Sequence, residues 1–309
     1  MGSHWDCMCG SEFTKPVINN EQVIIMKGDF FNTCEGDKRI VDLLYKTIFH
    51  QFSIFGFCMA KSIVASLLFF VICFGKSWAG PPFRTDDPEP VDQNHGEFYI
   101  ATQYEKDRDV TSGTAPHIEL NYGIVPDVML HLIAPYAFNK PEGASTQHGY
   151  GDTELGIKYR FIKDEDARFM VGTFPLVELP TGNSDKGVGA GHTMYFVPLW
   201  LQKSWGPWQS YGGGGFWRNP GAGNKDYWFF GWQVQRDISK MLTLGTELFS
   251  QTKTMEDGKT RTGYTLGAIV NIADDHHLLF SGGRDIHDDN RFSAYLAYQY
   301  TFGQHEGKK

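Results

Sequence analysis

Ionisable and amide side chains recur at alternate positions in several stretches of the chain: Glu119 and Asn121, His131, Glu154, Lys158 and Arg160, Glu247 and Gln251, Asn271, and Gln299. Spaced two apart, such groups can line a path and select solutes by charge and hydrogen bonding. An unhydrated, unpaired charge costs on the order of several kcal/mol. Such rows are therefore tolerable around water or as mutual ion pairs, and two readings stay open: a polar constriction, or a plug of side chains that only stabilises an interior.

Other chemistry is poorly supported. Ser250 with His192 can be named as a nucleophile and base, but nothing in the sequence brings them together, and no Gly-x-Ser-x-Gly elbow follows Gly80. The tetraglycine 212–215 lacks the Lys-Ser/Thr of a phosphate loop and reads as a place of close approach or tight curvature. His276-His277 and the run DIHDDN at 285–290 read as hydrated turns, because no calcium-loop spacing is present. No catalytic residue, metal ligand or cofactor is expected, and the chain is not expected to be an enzyme.

Composition narrows the class. A net charge of -8 without a dense basic patch argues against nucleic acid as a partner. All five cysteines precede Ala79, which excludes a disulfide framework or zinc pairs in the main body. Lys61, the apolar run from Ser62 to Phe74, and Ser77-Trp78-Ala79 have the order of a signal peptide. That run spans only about 20 Å as a helix, against roughly 30 Å of membrane hydrocarbon. The expected organisation is an upstream segment 1–58 outside the mature protein, a signal peptide 59–79, a periplasmic arm 80–94, a barrel 95–302 and a tail 303–309. Whether the arm's RTDDPEP run is solvated or folds into the lumen is open.

The elements that must position the polar rows are strands. Phe98, Ile100, Thr102 and Tyr104 alternate with Tyr99, Ala101, Gln103 and Glu105. The same alternation holds for Ile118 to Ile124, Val128 to Phe138, Thr153 to Phe161, Leu242 to Leu248, Tyr264 to Ile272 and Phe292 to Phe302. Segments near 167–178, 192–204, 207–217, 226–236 and 275–284 are strand-like without a clear facing. The count is about twelve strands. Connections alternate between tight turns (VPD, KDED, SWGP, DISK, ADDH) and generally longer polar loops (DRDVTSGT, NKPEGASTQHGYG, PTGNSDKGVGAGH, NPGAGNKD, TMEDGKTR, DIHDDN). Aromatic residues gather towards strand ends. A soluble sandwich or barrel also alternates, but the two unlike rims and the aromatic ends predict an all-β, transmembrane, up-and-down antiparallel barrel in the bacterial outer membrane.

Four blocks, GPPFRTDDPEPV, ELNYGIVPDVMLHL, GDTELGIKYRF and FPLVELPTGN, make the region from Gly80 to Phe302 resemble the outer-membrane proteins of the MetA pathway of phenol degradation. The resemblance implies a Gram-negative barrel that moves small molecules, aromatic or hydrophobic ones among them. The run YLAYQYTF also resembles the terminal strand read by the barrel-assembly machinery, although GQHEGKK follows it. The partners expected are therefore outer-membrane lipid, a small-molecule solute and that machinery. The function expected is a passive channel or transporter; the alternatives are a barrel enzyme acting on lipids and a structural barrel with a plugged lumen.

Overall fold

The computed structural model describes residues 82–287 and 290–303. The expectations for the upstream segment, the signal peptide and the cysteines lie outside the described residues. Fourteen strands form one sheet. They are β1 (His95–Lys106), β2 (Val110–Val125), β3 (Val128–Pro141), β4 (Gln147–Tyr150), β5 (Thr153–Asp164), β6 (Phe169–Thr173) and β7 (Leu176–Leu179). They continue with β8 (Met194–Trp205), β9 (Trp208–Arg218), β10 (Tyr227–Asp237), β11 (Leu242–Gln251), β12 (Arg261–Ala273), β13 (His276–His287) and β14 (Phe292–Gly303).

Every pairing between these strands is antiparallel. β1 closes onto β14 over its full length, from His95 opposite Gly303 to Lys106 opposite Phe292. β3 pairs with both β4 and β5, and β8 with both β6 and β7, so each of those couples forms one interrupted stave. The result is a closed barrel of twelve staves. Phe174-Pro175 makes the break between β6 and β7: proline has no N–H for the ladder, and Phe174 turns into the lumen, where it is buried.

Closure decides where every side chain goes. Leu130, Leu132, Leu155, Ile157, Leu244, Leu248, Leu266 and Leu296 point outward and are exposed, forming the apolar band that lipid requires. Their neighbours Met129, His131, Lys158, Glu247 and Ala297 point inward and are buried. The tight turns lie at one rim. There Asp127 takes a left-handed conformation (φ 63°) beside Pro126, and Gly206 does the same at φ 55°. Both barrel ends, His95 and Gly303, sit at that same rim.

Two of the strands without a readable facing, β8 and β10, prove to be apolar on both sides over their first halves. On β8, Tyr195, Val197 and Leu199 face lipid while Phe196 and Trp200 face inward; on β10, Trp228, Phe230 and Trp232 alternate with Tyr227 and Phe229. The tetraglycine on β9 permits close approach. A Cβ at Gly212 would lie 2.4 Å from the Trp232 ring, and one at Gly214 the same distance from Phe230. Two expected loops are largely strand: NKPEGASTQHGYG holds the end of β3 and all of β4, and in DRDVTSGT β2 already begins at Val110, so that only Asp107–Asp109 turn the chain. The Asp107 carboxylate accepts the N–H groups of Asp109 (2.9 Å) and Val110 (2.8 Å). Thr111 to Thr114 are small and polar on both faces, so they extend the hairpin with no apolar contrast to reveal it.

Replacing Leu132, which is exposed on the lipid face of β3, with Arg should destabilise the folded barrel by about 2 to 4 kcal/mol near the bilayer midplane. Reversible unfolding in lipid vesicles reads this directly; an unchanged midpoint would contradict the facing of β3.

Candidate functional site: the barrel lumen

The arm that precedes β1 runs inside the barrel. The Pro82 carbonyl accepts the Ser281 hydroxyl of β13. Phe83 lies against Gly245 and Gly267, where a Cβ would come within 2.9 Å of its ring. Thr85 is closest of all, since a Cβ at Gly231 would fall 1.9 Å from its hydroxyl oxygen, so glycine at 231 is the condition for that approach. Glu247, fully buried, accepts the Arg84 and Thr85 amides and the Thr85 hydroxyl. The Arg84 guanidinium pairs with Glu105, donates to the Ser293 hydroxyl (3.0 Å) and lies 5.0 Å from the Phe249 ring centre.

Further along the arm the charges pair in the opposite sense. Lys158 donates to Asp86 at 2.8 Å and pairs with Asp87 at 3.5 Å. Arg160 binds Asp127 at the tight-turn rim through Nε (2.9 Å) and Nη2 (2.6 Å), and approaches Glu89 at 4.0 Å. Gln202 donates to Glu89 at 3.0 Å. Burial pushes the Asp87 carboxyl up to about 6, against the pull of the Lys158 ammonium.

Strands β1, β2, β3 and β5 carry a polar wall. Gln299 donates to the Tyr99 hydroxyl, which donates to Glu97, both at 2.8 Å. The Asn121 amide donates to Glu119 at 2.9 Å and its carbonyl faces His131 Nδ1 at 2.6 Å; His131 Nε2 faces Glu154 at 2.9 Å. Oxygen acceptors on both ring nitrogens make His131 a double donor, an imidazolium between Glu119 and Glu154. Adjoining this wall is a buried apolar cluster, Phe174, Phe196, Trp200, Phe229 and Phe249 with Met129 of β3, in which Phe174 packs edge-on against His131 with ring centres 5.1 Å apart. Phe196 and Trp217 stack with centres 4.7 Å apart and an interplanar angle of 13°. Bordered by these side chains and around the arm is a cavity of about 1350 Å³.

Of the residues picked from sequence, Glu119, Asn121, His131, Glu154, Lys158, Arg160 and Gln251 line this cavity. Glu247 lies beneath the arm, and Gln299 is buried in the Tyr99 network. Asn271 sits at the tight-turn end of β12, where its amide donates to the Lys240 carbonyl (3.0 Å) and its oxygen accepts from His277 (2.7 Å). Ser250 and His192 have separate partners: the former bonds Arg261 and Thr262, the latter Asn219 and Asn224. His276 reaches the Tyr298 hydroxyl, on the other face of the sheet from His277. Among the described residues no group of three or more potential metal ligands converges.

Sequence reasoning did not pick out Arg84, Thr85, Glu97 and Glu105, nor the aromatic wall. The first two lie outside the strand pattern. Glu97 and Glu105 share a strand face with Tyr99 and Gln103, and that parity was the available signal.

No family model and no curated protein matches the chain. Among solved structures, an outer-membrane channel from Pseudomonas putida F1, of the COG4313 group, is 16% identical, with a TM-score of 0.59 over 70% of this chain and 98% of that one. The chain has the fold of an outer-membrane channel. The KdgM porin is more distant, 11% identical with a TM-score of 0.47 over 66% of this chain and 99% of that one. The translocator domain of the autotransporter NalP from Neisseria meningitidis also scores 0.47, at 11% identity over 68% and 90% of the two chains.

Within this channel fold, Glu247→Ala removes the acceptor of both arm amides. Hydrogen exchange at Arg84 and Thr85 should then quicken by about tenfold or more, the equivalent of ~1.4 kcal/mol, while exchange in β12 and β13 is unchanged. Equal exchange in both proteins would mean that Glu247 does not hold the arm. The raised Asp87 carboxyl gives a second expectation. The docked arm binds that proton more tightly than a free arm with the ordinary value of 3.8. The contribution to docking is therefore present at low pH and lost as pH rises through about 6. Arm protection, normalised to that of β12, should fall between about pH 4 and pH 6 and level off above, and Asp87→Asn should flatten the fall.

Proposed function

We propose that the chain is a passive outer-membrane channel for small molecules, aromatic or hydrophobic ones among them. The observation that carries this reading is the lined lumen. A cavity of about 1350 Å³ is bordered by aromatic side chains such as Phe174, Phe196 and Trp200 and by hydrogen-bonding and charged ones such as Glu119, His131 and Lys158, and residues near both rims line it. An interior serving only stability would fill that volume with side chains. The resemblance to the MetA-pathway proteins supports the class of solute, and the fold shared with an outer-membrane channel supports the mode of passage.

Flux through such a lumen runs down a concentration gradient. Solutes slide along the aromatic wall while the Glu119, His131 and Glu154 row offers hydrogen bonds, so apolar bodies need not lose all polar contact as they leave water. The ion-paired arm narrows the path and sets what size can pass.

Planar-bilayer recording with protein purified from outer membranes tests the proposal. Discrete current steps are expected, with ion selectivity altered by Glu119→Gln and by Lys158→Gln. A barrel that is folded, as judged by heat-modifiable migration on a gel, yet silent in bilayers and inert in liposome-swelling assays, would overturn it. Lipid hydrolysis by the same preparation would instead favour an enzyme.

A further inference from the structure

Glu154 and Glu178 stand directly opposite each other on the paired strands β5 and β7, and both line the lumen near the long-loop rim. Like charges in that position repel. His131 compensates Glu154. Glu178 is different: no described residue gives its carboxylate a hydrogen bond or an ion pair.

Beside it lies a stack of aromatic rings. Leu176, two residues before Glu178 on the same face, pairs with Phe196 of β8. Phe196 stacks on Trp217, and Trp217 stacks on Tyr227 with centres 5.9 Å apart and planes inclined by 17°. The three rings form a ladder across β8, β9 and β10, on the wall of the same cavity. His117 of β2 also borders this cavity; it is only 2% exposed, and its buried Nε2 has no hydrogen-bond partner among the described residues.

The chain supplies its own example of what such a pairing of carboxylate and ring holds. One layer deeper, the Lys158 ammonium rests 2.8 Å from Asp86 and 4.9 Å from the centre of the Phe174 ring. A hard metal ion needs six or more converging oxygens. An ammonium needs a carboxylate and an aromatic face, which attracts cations through its quadrupole.

We propose that Glu178, with Glu154 and the ladder of Phe196, Trp217 and Tyr227, forms a binding site for small organic cations, molecules that carry a protonated amine on a flat apolar body. The ammonium sits on Glu178 and shares the field of Glu154, and the body lies along the rings. The site thus names a solute class within the channel reading, on which it rests for its physiological meaning. Neutral aromatic solutes gain only the ladder, and aromatic carboxylates are repelled.

Calorimetric titration of the purified protein with benzylammonium, benzyl alcohol and benzoate separates these. Benzylammonium should bind at least about tenfold more tightly than either of the others, and should weaken with added salt. Glu178→Gln, which breaks no internal hydrogen bond, should remove that advantage and leave benzyl alcohol unchanged. Trp217→Leu should weaken both benzylammonium and benzyl alcohol. Equal affinity for the three probes, or benzylammonium binding unaltered by Glu178→Gln, would overturn the site. Bilayer recording on the same preparation keeps the two proposals distinct. Selective binding to a silent barrel would leave the site standing and remove the channel, whereas conduction without selective binding would do the reverse.

Discussion

A chain that crosses lipid as strands cannot leave a sheet edge open, because an unpaired N–H or C=O in hydrocarbon costs several kcal/mol and finds no water. The seam between β1 and β14 meets that constraint with twelve opposed residue pairs from His95 to Lys106, and the remaining architecture follows from it. Once the sheet is closed, alternation leaves only two destinations for a side chain. Leucine and isoleucine on one parity become the lipid surface, and whatever occupies the other parity becomes the interior.

Twelve staves enclose more space than ordinary side chains fill but less than a wide aqueous pore. The chain answers with its own N-terminal arm. Arg84 lies among Glu105, Ser293 and Phe249, while Asp86 and Asp87 approach Lys158, so each of these three arm charges meets its complement. The glycines at 231, 245 and 267 belong to the same solution, since larger residues would collide with Thr85 or Phe83. Ion pairs of this kind contribute position more than net stability, because desolvation offsets much of their attraction.

The membrane barrel was legible because strands such as β2, β5 and β11 have one lipid-facing parity and a more polar opposite one. The same contrast exposed Glu119, His131, Glu154 and Lys158. It failed on β8 and β10 for a physical reason: lipid and aromatic lumen are both apolar, so Phe196 and Trp200 look no different from Val197 and Leu199. The arm's place, solvated or inside the lumen, stayed open for another. Proline-rich and acidic, it has no period of its own, and its place is set by partners on the strands, from Glu105 and Lys158 to Glu247 and Ser281. Asn271 shows the limit of parity, which identifies a face of the sheet but not height along the barrel.

Both ends of the barrel strand order, His95 and Gly303, lie at the tight-turn rim, with the longer connections at the opposite one. The two rims are therefore unequal in evolvability. Insertions into the segments between β7 and β8 or between β11 and β12 displace no stave. The tight-turn rim has no such freedom. Asp127 both turns the chain and holds Arg160, so a change of turn length there would be transmitted into the lumen.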